Sequence, residues 1–160
     1  MTDEQAALLK GKKVMIIEDD PLLHNLLADK MTQLREKGVE VYPVMNAEEG
    51  LKTAESAHPD LILLDLVLPN MTGFEFLEQL RAKPGNEKTP VVILSNLSAD
   101  SDRERAKQLG VTAYFVKADF SLSEISGAVE ELLLGHAVPT PKDQTPGIKK
   151  TESGGYMVYL

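Results

Sequence analysis

Short apolar runs alternate with helical patterns along most of this chain. Five runs have the length and the near-continuous apolar character of buried strands: KVMIIE, VEVYPV, DLILLD, TPVVILS and TAYFVK. Between them apolar residues recur at helical spacing, and Pro21 at the start of the first such stretch with Gly38 just beyond its end is the usual helix punctuation. The predicted helices cover about 21–37, 46–57, 72–82, 98–109 and 121–134.

Five strand–helix units in series predict an α/β fold. Continuous apolar strands are typical of a parallel sheet that helices cover on both faces. Right-handed crossovers then make a doubly wound, five-stranded parallel sheet with five helices the natural architecture. Pro43 in the second strand indicates an edge position, because proline cannot donate to a strand ladder. In such sheets ligands bind at the carboxyl ends of the strands.

Composition divides the chain into three regions. We expect an N-terminal extension over residues 1–11, a domain over 12–135 and a Pro/Gly-rich tail over 136–160 that lacks periodicity. A tail of about 25 residues cannot hold a second folded output domain. We expect this tail to be disordered, although its last five residues, YMVYL, are β-prone and could instead add a strand to a sheet edge or dock on a partner.

Charge and composition argue against several classes of protein. The formal net charge is -8 and the region 12–135 accounts for it, which disfavours nucleic-acid or anionic-membrane binding through the general surface. The chain has no cysteine, so disulfides and thiolate chemistry are excluded. Because no apolar run approaches the roughly 18 residues of a membrane span and the N-terminus lacks a signal-peptide pattern, we expect a soluble, cytoplasmic protein.

Polar groups follow four of the five predicted strands. They are Glu18, Asp19 and Asp20 after the first strand, Asp65 after the third, Ser95 at the end of the fourth and Lys117 at the end of the fifth. Each alone has an ordinary structural explanation, and Asp20 before Pro21 suits a helix N-cap. Because parallel strands bring their carboxyl ends to one edge, we expect these groups to converge there.

Such a convergence suits phosphoryl chemistry. Carboxylates that lie close together repel one another, and a Mg2+ ion, which favours carboxylate, water and phosphate oxygens, relieves that repulsion. Lys117 supplies a compact positive charge for a phosphoryl oxygen, and Ser95 supplies a hydrogen-bond donor. A carboxylate in this setting can act as a nucleophile toward a phosphoryl donor, so the constellation predicts an aspartyl phosphate.

Residues 12–134 resemble the receiver domain of two-component response regulators. The resemblance rests on four motifs in register: MIIEDDPLL, PDLILLDLVLPNMTGFEFL, TPVVILSN and GVTAYFVK. Their spacing is specific in combination, with 46 residues from Asp19 to Asp65, 30 from Asp65 to Ser95 and 22 from Ser95 to Lys117. The resemblance implies a flavodoxin-like strand order of 2-1-3-4-5 and a stand-alone switch in phosphorelay signal transduction.

The resemblance also implies roles for single residues. Asp65 would be the phosphoryl acceptor, and Lys117 would pair with the phosphoryl group. Ser95 would be the switch hydroxyl, and Tyr114 the aromatic that moves between exposed and buried states. The implied ligands of the Mg2+ cofactor are Asp19, Asp65, Glu18 acting through water, and the backbone carbonyl of Val67.

Partners follow from the same resemblance. They would be a sensor histidine kinase or a phosphotransfer protein, and an unknown downstream protein that binds the face formed by the fourth helix, the fifth strand and the fifth helix. That face or the tail could also form a homodimer, whereas no direct nucleic-acid or membrane partner is expected. The chain would catalyse its own aspartyl phosphorylation and a slow autodephosphorylation, without classical enzyme turnover.

Two positions depart from the common form of the family. Asn96 follows Ser95 where Ala or Gly is frequent, and Ala118 follows Lys117 where Pro, often joined by a cis bond, is frequent. Because a cis bond before a residue other than proline costs about 2.5–4 kcal/mol, we expect a trans bond here. Asn96 and Val67 would flank the path of an attacking water, so we expect slow loss of the phosphoryl group, which Asn96→Ala should accelerate.

Two other classes of function stay open. A phosphorylation-independent interaction module would keep the fold as a scaffold. A scaffold has no need for the complete set of Glu18, Asp19, Asp65, Ser95 and Lys117. A metal-dependent phosphohydrolase with Asp65 as nucleophile would commonly place a second acid two residues later, where Val67 stands.

Overall fold

The computed structural model describes residues 2–136, 148–150 and 156–159, in which helices and strands alternate as the pattern predicts. The helices are α1 (Asp3–Leu9), α2 (Pro21–Lys30), α3 (Thr32–Glu36), α4 (Ala47–Ala57), α5 (Gly73–Ala82), α6 (Asp100–Gln108) and α7 (Leu122–Leu133), with a 3-10 turn at Lys117–Asp119. The strands are β1 (Lys13–Ile17), β2 (Glu40–Val44), β3 (Leu61–Leu64), β4 (Val91–Ser95), β5 (Ala113–Val116), β6 (Ile148–Lys150) and β7 (Tyr156–Tyr159).

The first five strands form a parallel sheet in the order β2-β1-β3-β4-β5. The predicted α/β fold class and strand order are therefore confirmed. β2 lies at one edge of the sheet, as Pro43 indicates, because a proline in a central strand would interrupt the ladder.

The register of the strands brings the predicted polar residues to one edge. Ile17 of β1 is level with Leu64 of β3. The residues that follow, Glu18 and Asp65, therefore leave the sheet side by side. Lys117 follows the last residue of β5 at the same carboxyl edge.

Alternate strand residues face two separate layers of helices, because successive side chains of a strand point to opposite faces. Ile16 and Phe115 belong to a core cluster shared with α2, α3 and α7. Ile17 and Tyr114 belong to a second cluster shared with α4, α5 and α6. Helices thus cover the parallel sheet on both faces, which explains why its strands are continuously apolar.

The described residues form seven α-helices where the sequence pattern predicts five. One addition is α1, which begins with a capping box of Thr2 and Gln5 and buries Leu9 in the core. The other arises because the first predicted helix is divided at Met31, whose backbone stays in the right-handed helical region at φ -75° and ψ -3°. Among the described residues, no helix is both long and apolar enough to cross a lipid bilayer.

The sheet continues beyond the fifth predicted strand. β7 pairs antiparallel with β5, and β6 pairs antiparallel with β7, so the described residues form a seven-stranded sheet where the sequence pattern predicts five strands. The expectation of a disordered tail is wrong for residues 148–150 and 156–159. The β-prone end of the chain instead extends its own sheet, which is the alternative that its composition left open.

Gly73 begins α5 directly against the loop that follows β3. A β-carbon at this position would lie 2.5 Å from the backbone oxygen of Asp65 and 2.6 Å from the Cα of Leu66. The Gly73 N–H donates to the carbonyl of Leu66 at 2.9 Å. The helix start and the loop are therefore held too close together for a side chain.

We predict that Gly73→Ala destabilises the protein by about 1–3 kcal/mol, because the added methyl group forces the backbone around Asp65 to move. The matched control is Gly127→Ala in α7, where an added β-carbon meets nothing within 4 Å. This control should be neutral or stabilising by up to about 1 kcal/mol, since alanine favours a helix more than glycine does. Urea denaturation measures both changes, and equal effects would contradict the close packing at Gly73.

Candidate functional site

A cleft of about 350 Å³ opens at the carboxyl ends of the parallel strands. Its lining residues are Glu18, Asp19, Asp20, Asp65, Val67, Asn96 and Lys117. Most of the predicted site residues therefore meet at one place. Ser95 and Tyr114 are the two predicted site residues that lie outside this lining.

A larger cavity of about 760 Å³ lies at the opposite edge of the sheet, among residues that precede β1, β3 and β4. Its charged lining residues carry both signs and are Lys12, Asp60, Glu87 and Lys88. Asp60 already accepts a hydrogen bond from the backbone N–H of Lys13 at 2.8 Å. We place the functional site in the smaller cleft, because the carboxylates and the ammonium group converge there.

Lys117 holds two carboxylates together at the base of the cleft. Its Nζ lies 2.8 Å from Oδ2 of Asp65 and 3.0 Å and 3.2 Å from the two carboxylate oxygens of Glu18. Both acidic side chains are almost fully buried, with 5% and 2% of their side-chain surface exposed. A buried carboxylate without a partner is costly, and the shared ammonium group provides a partner for both acidic side chains.

Burial and close contact shift the pKa values of Glu18 and Lys117. Burial, followed by the proximity of Asp65, raises the pKa of Glu18 to about 8, against the lowering effect of Lys117. Burial alone would lower the pKa of Lys117, but its contacts with Asp65 and Glu18 outweigh that effect and raise it. At neutral pH, in the absence of a metal ion, Lys117 is therefore charged and Glu18 holds a proton.

Three carboxylates are close enough to share a metal ion. One oxygen each from Glu18, Asp19 and Asp65 lies within 4.8 Å of the others. Mg2+ favours carboxylate oxygens, so these three residues could hold the ion. Asp20 has another role: its side chain accepts from the backbone N–H groups of Leu22 and Leu23 and caps α2, which confirms the predicted N-cap.

Asp65 is held by both of its carboxylate oxygens. Oδ2 receives the Lys117 ammonium, and Oδ1 accepts from the backbone N–H of Val67 at 3.1 Å. These contacts orient the carboxylate at the floor of the cleft. The side chain of Val67 is 57% exposed beside it, and the role of its carbonyl as a metal ligand stays a prediction.

Ser95 and Tyr114 are joined beside the cleft through the backbone of Leu97. The Leu97 N–H donates to Oγ of Ser95 at 3.2 Å, and the Tyr114 hydroxyl donates to the Leu97 carbonyl at 2.5 Å. Ser95 and Tyr114 are fully buried. Burial, with a contribution from Asp102, raises the pKa of Tyr114 to about 12, so the hydroxyl stays a donor at neutral pH.

Two features of the site were missed by reasoning from the sequence. His24 is buried, and its Nδ1 lies 3.0 Å from the carbonyl of Glu18, so it must donate there and fixes the turn that carries the acidic residues. Its position four residues after the N-cap Asp20 was a signal for such a contact. Leu97 makes its contacts through its backbone N–H and carbonyl, and a pattern of side chains does not predict such contacts.

The segment after Lys117 follows the expectation drawn from Ala118. The described residues contain no cis peptide bond, so the bond between these two residues is trans, as predicted. A 3-10 turn over Lys117–Asp119 follows β5 directly.

The raised pKa of Glu18 predicts a pH dependence of stability in the absence of metal ions. The unfolded chain loses the proton of Glu18 near its ordinary pKa of 4.5, whereas the folded protein keeps it up to about pH 8. The folded state therefore binds more protons between these values, and its stability falls as the pH rises through that window. Glu18→Gln, which mimics the neutral acid, should remove this contribution, which is on the order of a few kcal/mol.

Urea denaturation in EDTA at several pH values measures this effect. The stability of Glu18→Gln relative to the wild type should increase from pH 4.5 to pH 8. The same substitution at Glu104, exposed on α6, is the matched control. A wild type and a Glu18→Gln variant with parallel pH profiles would contradict the assignment.

Comparison with known proteins identifies relatives of this chain. Residues 14–130 match the family model of the response regulator receiver domain. The transcriptional regulatory protein CiaR of Streptococcus pneumoniae is 37% identical over 121 residues, which cover 76% of this chain and 51% of CiaR. The KDP operon regulator KdpE of Escherichia coli is 33% identical over 81% of this chain and 55% of its own length. The chain spans about half the length, or less, of most curated relatives it matches.

Solved structures give the same result. The phosphorylated cyanobacterial phytochrome response regulator RcpA is 29% identical, with a TM-score of 0.67 over 77% of this chain and 94% of RcpA. The receiver domain of the sensor histidine kinase PA1611 from Pseudomonas aeruginosa, solved with a magnesium ion in its active-site cleft, is 25% identical, with a TM-score of 0.66 over 78% of this chain and 98% of that domain. Since the family match covers most of its length, this chain belongs to the response regulator receiver domain family.

Proposed function

We propose that this protein is a phosphorylation-dependent signalling switch. Asp65 accepts a phosphoryl group from a histidine kinase or a phosphotransfer protein, with Mg2+ as cofactor, and the phosphorylated chain signals by altered protein binding. The observation that carries the proposal is the contact of one ammonium group, on Lys117, with the carboxylates of both Asp65 and Glu18. An acidic cleft with a built-in cation suits a group that brings further negative charge.

Several residues of the cleft have separate roles in the proposed phosphoryl transfer. An oxygen of Asp65 attacks phosphorus and forms the new P–O bond, while the bond from phosphorus to the donor breaks and the donor keeps its electron pair. Lys117, already 2.8 Å from Oδ2 of Asp65, is placed to pair with a phosphoryl oxygen. A Mg2+ ion bound by Glu18, Asp19 and Asp65 would neutralise charge on the carboxylates and on the phosphoryl group.

The switch runs from Ser95 to Tyr114 in this proposal. In the unphosphorylated protein Oγ of Ser95 accepts from the N–H of Leu97, and the carbonyl of Leu97 accepts from Tyr114. A phosphoryl group on Asp65 offers Ser95 a charged acceptor, and such hydrogen bonds are roughly twice as strong as neutral ones. Ser95 would turn toward it, the loop at Leu97 would follow, and Tyr114 would lose or change its present hydrogen bond.

The relatives support this proposal. Receiver domains bind Mg2+ at an acidic site, and the similar PA1611 domain holds magnesium in its cleft. RcpA, similar over most of this chain, was solved in a phosphorylated form. The curated relatives CiaR and KdpE are transcriptional regulators, but this chain spans only about half of each. Their output is therefore not transferred to it.

Two other functions have less support. A phosphorylation-independent scaffold would not need two buried acidic side chains paired with one lysine. Apolar residues of similar size often stabilise a fold as well as a buried ion pair does. A phosphohydrolase would need a second acid near the leaving group. The residue two positions after Asp65 is Val67, whose side chain is 57% exposed.

Intact mass spectrometry after incubation with acetyl phosphate tests the proposed function. We expect one phosphoryl group on the wild type in the presence of Mg2+, and none in EDTA. Asp65→Asn should stay unmodified because it lacks the nucleophile, whereas the matched control Asp29→Asn, exposed on α2, should be modified like the wild type. A wild type that is not modified, and that also fails to bind beryllofluoride, would overturn the proposal in favour of the scaffold.

A further inference from the structure

The chain covers the outer edge of β5 with its own C-terminal segment. β7 pairs antiparallel with β5, with Ala113 level with Tyr159 and Tyr114 level with Val158. β6 in turn pairs with β7 over three residue pairs. The family match ends at residue 130, so this strand pair is an addition of this chain to the receiver domain. We call β6 and β7 together, residues 148–150 and 156–159, the C-terminal segment.

The two edges of the parallel sheet differ in how well they could accept another strand. β2, at one edge, begins with Glu40 and contains Pro43, and both residues discourage strand pairing. β5, at the other edge, consists of Ala113–Val116 and has neither a charge nor a proline. Without a neighbour, it would present unpaired N–H and C=O groups in an apolar, β-prone strand. Such an edge readily pairs with another chain.

We propose that the edge of β5 is a binding surface for an extended strand, and that its resident ligand is the C-terminal segment. While β7 is in place, it pairs with this edge at Ala113 and Tyr114. A partner that binds there supplies an apolar, β-prone strand of its own and gains access only when β7 leaves. The C-terminal segment is thus an autoinhibitory contact on the face that is expected to bind the downstream protein.

The geometry suits a ligand that can be displaced. Among the described residues, β5 and β7 share two register pairs, which is a short ladder. Eleven residues, 137–147, connect the described end of the domain to β6. Because both strands belong to one chain, the covalent connection keeps the local concentration of the segment near β5 high. A weak strand pairing can therefore be populated within one chain and still yield to a competing strand.

A contact path joins this edge to the phosphorylation site. Val158 of β7 is level with Tyr114, whose hydroxyl donates to the carbonyl of Leu97, and the N–H of Leu97 donates to Ser95. This step rests on the proposed function: a phosphoryl group on Asp65 that recruits Ser95 disturbs the arrangement in which β7 pairs with β5. Phosphorylation should therefore weaken the hold of the C-terminal segment.

A labelled peptide with the sequence of residues 148–160 tests the binding surface. Fluorescence anisotropy would measure its binding to three full-length chains: wild type, Val158→Pro and Thr140→Pro. Proline at residue 158 removes a backbone donor from the central strand of the β5-β7-β6 ladder. Thr140→Pro makes the same change between Pro139 and Pro141, outside both strands.

We expect saturable binding to the Val158→Pro chain, and binding at least about tenfold weaker to the wild type and to Thr140→Pro. A peptide that itself carries Val158→Pro should not bind to any of them, and this arm does not depend on the folding of a variant chain. The proposal is overturned if the Val158→Pro chain does not bind the peptide, or if all three chains bind it equally.

Phosphorylated wild type tests the link to Asp65. After acetyl phosphate treatment, with modification verified by intact mass, the wild type should bind the peptide several-fold more tightly. A chain that is phosphorylated but binds no better would overturn the link while leaving the proposed function intact. A chain that cannot be phosphorylated would overturn the proposed function, and the Val158→Pro arm would still decide the binding surface.

Discussion

One partly buried ammonium group, on Lys117, pairs with two buried acidic side chains, Glu18 and Asp65. These three residues follow three different strands, so the contact requires the register of β1, β3 and β5 to be correct at once. Removing one partner from such a group leaves an uncompensated buried charge, which costs about 3–5 kcal/mol. The geometry of the cleft therefore depends on the register of the strands. The stability of the sheet depends in part on the charges that meet in the cleft.

That arrangement also explains why the site can respond to a ligand. In the metal-free protein Glu18 holds a proton, because its pKa is raised to about 8 by burial and by Asp65. A bound cation or phosphoryl group would change the net charge around the ammonium group of Lys117. Under the proposed function, Ser95 and Leu97 would carry such a change toward Tyr114 through the hydrogen bonds that Leu97 makes with both residues.

β5 connects the interior of the domain with an edge of the parallel sheet. Tyr114 faces the core layer of α6, and the same residue is level with the C-terminal strand β7. A change at Tyr114 therefore reaches both a helix and a sheet edge. In this chain, residues from outside the matched family domain pair with that edge, so the proposed partner strand would compete with the C-terminal segment for it.

Reasoning from the sequence located the strands and the cleft, because apolar strands in a βα series place their carboxyl ends at one edge. Glu18, Asp65 and Lys117 were therefore found from position alone. It failed where backbone atoms decide: the N–H of Leu97 donates to Ser95, and its carbonyl accepts from Tyr114.

Two further differences have identifiable causes. α1 was missed although Thr2 and Gln5 form a capping box, because the apolar stretch behind them is short. The sequence did not decide whether the end of the chain forms strands. Strand pairing depends on which sheet edge is available, and the folded sheet determines that edge.

The central role of Lys117 is tested most directly by thermal unfolding of Lys117→Met with increasing Mg2+, beside the wild type and the exposed control Lys52→Met. Without Mg2+ the Lys117→Met variant should unfold at a lower temperature than the wild type, because the buried Asp65 carboxylate loses its charged partner. Mg2+ should then raise its unfolding temperature more than that of the wild type, since the ion no longer competes with an ammonium group. A Lys117→Met variant as stable as the wild type without Mg2+, or one that gains less from the ion, would contradict this role.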